Sequence, residues 1–144
     1  MAFAIAGTVA LALAAVGAGS GADPPPIACT EIGCVSGVHI QLDSLPAEAR
    51  SARVCVDGRC GRKQPLPPES GGSGFVEARL PRGKRRADAS VGVRIVLLDR
   101  EGRVLARSRT RGRVRRTQPN GPSCPPICFQ VGLHYRGDTG LKGG

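Results

Sequence analysis

The chain is predicted to be all-β: a small immunoglobulin-like or transthyretin-like β-sandwich, disulfide-crosslinked, following an N-terminal apolar signal segment. Three observations predict it. Short runs alternate apolar and polar residues with a period of two, turn residues separate these runs, and beyond the N-terminal segment no stretch sustains a helical period. At 144 residues the chain has room for one modest core and not for a second independent domain.

The first element is not part of the sandwich. "MAFAIAGTVALALAAVGAGSGA" is an Ala-rich, uncharged run followed by Asp23 and three prolines, which reads as a secretory signal over 1–22. Ser20 and Ala22 supply small residues at −3 and −1, so cleavage is expected after Ala22. The run has no positively charged n-region, so either translation starts upstream of Met1 or the run acts without one. An uncleaved N-terminal anchor is the alternative. Residues 23–34 then form a Pro-rich linker with the first cysteine pair, 35–136 the sandwich domain, and 137–144 a flexible tail.

Within the domain, "VSGVHIQL" alternates through Val38, Ile40 and Leu42, as a half-buried strand does. "SLPAEARSA" at 44–52 is the only short helical candidate. "RVCVDGRC" is a hairpin, because Asp57-Gly58 supplies the two positive-φ residues of a type I′ turn. Residues 65–74 are a loop by composition, and "SGGSG" within them lacks the lysine and helix of a phosphate loop. "FVEARL" puts Val76, Ala78 and Leu80 on one side, and the basic knuckle "PRGKRRAD" follows. An apolar strand 91–98, a turn over Arg100 to Gly102 and a return strand from Arg103 form the strongest hairpin signal. "ICFQVGLHY" is the last strand, with Val131, Leu133 and Tyr135 on its apolar side.

All six cysteines lie beyond the expected cleavage point, and an even count in an exported chain points to disulfides. The I′ turn places Cys55 opposite Cys60 in a non-hydrogen-bonded pair, where Cα atoms approach to about 4.5 Å, close enough to bond. Cys29, Cys34, Cys124 and Cys128 admit three pairings. Cys29 can reach Cys34 through Gly33, and a turn in "CPPIC" would join Cys124 to Cys128. If Pro125 and Pro126 stay extended they separate these cysteines by about 12 Å, and both then reach back to Cys29 and Cys34. The spacing also overlaps structural zinc sites, but oxidation removes the thiolates that zinc requires, so no metal is assigned.

The formal charge is +10 and the isoelectric point about 10.4, which draws polyanions to the surface. Arginine far exceeds lysine while alanine, glycine and proline are abundant, the bias of a GC-rich genome, so part of the charge reads as compositional. Aromatic residues make up only 3% of the chain and Trp is absent, too few rings for a base-stacking platform. No recognition helix or RNA-binding signature appears, so no specific nucleic acid partner is expected.

The most conspicuous charge is the ladder "ARSRTRGRVRRTQ". If 103–116 is one strand, Arg107, Arg109, Arg111, Arg113 and Arg115 share a face at steps of about 6.6 Å, over a thin inner face of Ala106, Ser108, Thr110, Gly112 and Val114. A solvated edge that resists pairing with other molecules would look the same. The functional expectation is that the ladder, with Arg82, Lys84, Arg85 and Arg86, meets phospholipid or wall phosphate, since guanidinium donates two parallel hydrogen bonds to phosphate.

Catalytic signatures are sparse. His39 and His134 are the only histidines, each on the polar side of a strand, and a shared metal site with Asp43 would need all three to meet. There is no G-x-S-x-G, H-E-x-x-H or C-x-x-C motif, so no enzyme activity and no cofactor are expected.

The order "ACTEIG…SGV" at 28–38, "VCVDGRC" at 54–60, "VRIVLLDREGRVL" at 93–105, "PNGPSC" at 119–124 and "QVGL" at 130–133 resembles small exported or lipid-anchored actinobacterial proteins of unknown function. The resemblance covers most of 28–135. It implies an envelope location and no known activity. It also implies, as an alternative to release, a lipid on Cys29, although Pro26 at −3 departs from a lipobox. The expectation is therefore a non-catalytic, secreted or envelope-associated interaction module with a basic face. The alternative is a carrier or inhibitor that takes a small ligand or an exported protein on its loops.

Overall fold

The computed structural model describes residues 29–67 and 73–144. The signal segment and its cleavage site lie outside the described residues, as does most of "SGGSG". The strands are β1 Gly37–Asp43, β2 Ser51–Val56, β3 Arg59–Cys60, β4 Gln64–Pro65, β5 Gly74–Ala78, β6 Ser90–Leu98, β7 Val104–Arg113, β8 Arg115–Thr117, β9 Cys128–Arg136 and β10 Gly140–Gly143. They form two sheets, one in the order β10-β9-β1-β5 with β8 also on β9, the other β3-β2-β6-β7 with β4 also on β2. The β1–β9 pair is parallel and every other pair antiparallel. The molecule is a small disulfide-crosslinked β-sandwich.

Strict alternation builds the core. Val38, Ile40 and Leu42 of β1 are fully buried against Val54, Val91, Val93, Ile95 and Leu97 of the facing sheet, with Val131, Leu133 and Tyr135 of β9 beside them. Side chains of this kind each contribute about 1.5–3 kcal/mol on leaving water. Branched aliphatics fit the pleated surface and make up most of this core, with the Tyr135 ring buried among them and Phe129 packed against it.

The β6–β7 turn is fixed by Asp99. Its Oδ1 accepts the Arg103 backbone N–H at 2.7 Å and its Oδ2 accepts Arg103 Nε–H at 2.6 Å, while Gly102 takes φ +83° to close the turn. Beyond it Leu97 pairs with Ala106 but Leu98 with Val104, so Leu105 is an inserted bulge residue. Because successive side chains point to opposite faces, that single insertion decides which side of the sheet the arginines occupy.

The sequence places one strand over 103–116, and the structure divides it. At Val114 the chain leaves one sheet for the other; its N–H bonds Ala89 O and its carbonyl accepts from Asp88 N–H, both at 2.8 Å, and its side chain is buried. Gly112 makes the crossing feasible, since a Cβ there would collide with Val131 Cγ1.

Other expectations also need correction. Residues 44–52 form a turn, with Ala49 N–H on Pro46 O, rather than a helix, because Arg50 and Ser51 are drawn into pairing beside β6. The expected tail 137–144 returns as β10 along β9 and buries Leu141. Leu66, inside the compositional loop, is buried in the core. Of the pairings the sequence leaves open, the structure forms Cys29–Cys124 and Cys34–Cys128, and Cys55 bonds Cys60 as the hairpin register predicts. Asn120 holds the first pair's surroundings, accepting from Thr30 Oγ1 and Ile32 N and donating to the carbonyls of Ile32 and Pro125.

Candidate anion-binding face

The site begins with alternation in three adjacent strands. Pairing aligns their outward residues in transverse rows: Arg53, Val96 and Arg107 in one, Cys55, Arg94 and Arg109 in the next, then Gly92 beside Arg111, and Ser90 beside Arg113. Strand spacing separates neighbours in a row by about 4.8 Å, and rows follow one another at about 6.8 Å. Arg53, Arg94, Arg107, Arg109 and Arg111 are all exposed, and among the described residues none of them forms an ion pair. Arg113 lies 3.7 Å from Asp88.

Arg94 is the ordered member. Its Nη2 lies 3.5 Å from Cys55 Sγ and 3.6 Å from Cys60 Sγ, so the hairpin disulfide props the guanidinium in the middle of the face. The hairpin turn supplies the neighbouring wall. Asp57 and Gly58 take φ of 47° and 81°, the left-handed pair a type I′ turn needs, and Asp57 Oδ1 accepts the Gly92 N–H at 2.8 Å. Arg94 therefore separates two open hollows. One, of about 480 Å³, is floored by Gly92 and bordered by Asp57, Arg109 and Arg111; the other, of about 320 Å³, is bordered by Arg53, Lys63 and Arg107.

The structure brings together only part of the patch expected from sequence. Arg107, Arg109 and Arg111 share the face. Arg115 lies on β8 of the other sheet, because the chain crosses at Val114. Arg82 and Arg85 border a different groove with Arg59 and Arg62, Lys84 Nζ donates to Ser90 O at 3.0 Å, and Arg86 is exposed in the same knuckle. Sequence reasoning missed Arg53, Lys63 and Arg94. Their alternation within β2 and β6 marks Arg53 and Arg94 as outward, but no local signal sets β2 beside β6.

His39 and His134 do border one groove, of about 530 Å³, where residues of β1, β5 and β9 meet the end of β7, together with Phe75, Arg111, Arg113 and Arg115. The His39 ring stacks on Phe75, with Nδ1 3.0 Å from Glu77 Oε1 and Nε2 3.1 Å from Val35 O, so both ring nitrogens are engaged. Asp43 does not join them; it pairs in register with Arg136 at the end of β1. Among the described residues no three histidine, cysteine or acidic side chains are disposed to hold a metal. All six cysteines are paired in disulfides, Cys29 with Cys124.

Three disulfides point to an oxidising, extracytoplasmic compartment. No helix among the described residues is long and apolar enough to cross a membrane. Comparison with protein-family models, curated proteins and solved structures finds no match for this chain.

Proposed function

We propose that this is an exported, non-catalytic interaction module that docks the outer face of its β2–β6–β7 sheet onto an anionic cell-envelope surface, phospholipid or wall phosphate. The observation that carries the reading is the set of arginines at 53, 94, 107, 109 and 111, aligned by strand register and without carboxylate partners among the described residues. Solvated arginines scattered for solubility would be interspersed with acids. Here five of the arginines share one face without ion-pair partners among the described residues, and the paired donors of a guanidinium suit phosphate oxygens.

The test replaces Arg107, Arg109, Arg111 and Arg113 by Ser in the full-length chain and follows its partition between envelope and medium in a Gram-positive host. Docking predicts release of the variant, and release of the wild type by high salt, which screens exposed charge. Unchanged envelope retention would refute docking through this face.

A second reading, an inhibitor or carrier that takes an exported protein on its loops, is favoured by Ile32, Val35 and Ile127, which stand 54%, 64% and 48% exposed around the Cys34–Cys128 bridge. A photocrosslinker at position 127 gives one discrete protein adduct on that reading, and none if those residues merely face water.

A further inference from the structure

We infer that the hollow over Gly92 is a binding subsite for a phosphodiester flanked by hydroxylated carbons, the chemistry of a polyol phosphate unit. The inference rests on the reading that this face meets anionic surfaces and names what one part of it selects.

The first support is a glycine with no structural reason to be there. Gly92 lies inside the central strand β6, at an outward position between Ser90 and Arg94. Glycine in a strand interior costs stability, and it is often found where a ligand approaches closely. Yet its backbone is not left-handed, and a Cβ built there would meet nothing nearer than Asp57 Oδ1 at 3.6 Å, an ordinary contact. The fold would accept a side chain at 92. What the missing side chain does is open the hollow.

The second support is the chemistry around that floor. Arg111 stands opposite Gly92, and Arg109 opposite Arg94, so three guanidiniums border the hollow and supply donors for phosphate oxygens. Asp57 borders it too, with Oδ1 committed to the Gly92 N–H. A lone carboxylate among arginines disfavours a bare anion but accepts from a hydroxyl. The pairing of the two therefore favours a ligand that carries hydroxyls beside its phosphate.

The test uses Gly92→Val, which plugs the hollow, preserves every charge and suits a strand. Binding is measured by titration calorimetry against soluble glycerol phosphate oligomers, inorganic phosphate, and vesicles containing phosphatidylglycerol. Wild type should bind the oligomer well above inorganic phosphate, and Gly92→Val should weaken that binding by about tenfold or more while its unfolding midpoint is maintained. If wild type binds only the vesicles and Gly92→Val loses them, the subsite stands and its phosphodiester belongs to a lipid headgroup. If Gly92→Val binds like wild type, the subsite is overturned while docking by diffuse charge survives. If wild type binds neither oligomer nor vesicle, both readings fall. Equal affinity for inorganic phosphate and oligomer would overturn the role of Asp57, and Asp57→Asn should otherwise narrow that difference. Gly92→Ala, whose Cβ meets only ordinary contact, replaces Gly92→Val should the larger side chain impair folding.

Discussion

Arg94 and Arg109 stand directly opposite each other on β6 and β7, on the same outward face, with no carboxylate bridging them among the described residues. Like charges in facing positions destabilise a sheet, so this pair costs stability. Arg109→Ser should raise unfolding stability by about 0.2–1 kcal/mol at low salt, and the gain should vanish as salt screens the repulsion. The same variant should bind anionic vesicles more weakly. Denaturant unfolding at two salt concentrations checks the first point, and vesicle co-sedimentation the second. Arg94 is the poorer choice for this comparison, because its contacts with the Cys55–Cys60 sulfurs would be lost as well.

Gly112 over Val131 marks the place where β7 passes across β9 before the chain changes sheets. A methyl group there has no room, since it would collide with the buried Val131 and meet Leu133 beside it. Gly112→Ala should therefore cost about 1–3 kcal/mol, as overpacking does. Gly92→Ala, whose Cβ would make only an ordinary contact with Asp57 Oδ1 at 3.6 Å, should be close to neutral. Parallel urea titrations of the two variants read the contrast directly.

Acid should loosen the β6–β7 hairpin. Burial by itself would raise the Asp99 carboxyl, but the hydrogen bonds from the Arg103 side chain and backbone, together with the Arg103 charge, hold it below the ordinary carboxylate value of 3.8. A carboxylate depressed by folding stabilises at every pH above its unfolded value, and that stabilisation is lost as pH falls through the folded one. Asp99→Asn should therefore be less stable than wild type at pH 7. The difference should shrink as pH falls below about 4, where the unfolded chain takes up the proton first, and be lost once pH has passed below the lowered folded value. Unfolding midpoints of both proteins at pH 7 and pH 3 test this, and an equal gap at both would exclude it.

The two long-range disulfides are nearly redundant crosslinks. Cys29–Cys124 and Cys34–Cys128 span sequence separations of 95 and 94, so either one alone restrains almost the same loop of the unfolded chain. Replacing one pair with serine should cost much less than the roughly 4–5 kcal/mol that a loop of this length represents, and replacing both should cost about that amount. The short Cys55–Cys60 bridge closes far less chain, worth about 2 kcal/mol. Its removal should weaken anion binding more than its size suggests, because Arg94 loses its prop. Intact mass under non-reducing conditions, six hydrogens below the reduced chain, verifies the bonding before each measurement.

Much of this protein was legible in its sequence because the signals were local. A period of two buries Val38, Ile40 and Leu42 together whatever lies across from them, and Asp57-Gly58 dictates a turn that sets Cys55 against Cys60. The alternation from Arg107 to Arg113 likewise told which side chains share a side.

Other features depended on contacts between distant segments. Only tertiary structure chose the pairing of Cys29 with Cys124 and Cys34 with Cys128, since several closures satisfy the same chain. Only the approach of Val131 to Gly112 and the backbone pairing of Val114 divided the arginine ladder and sent Arg115 to the other sheet. Gly140–Gly143 is polar and glycine-rich, and becomes a strand because β9 offers it an unpaired edge and the core a place for Leu141. The binding face followed the same rule. Sequence alone determined that the arginines of β7 point one way, whereas the alignment of Arg53, Arg94 and Gly92 beside them was decided by the register of β2 and β7 against β6, hydrogen bonding between strands that no local pattern encodes.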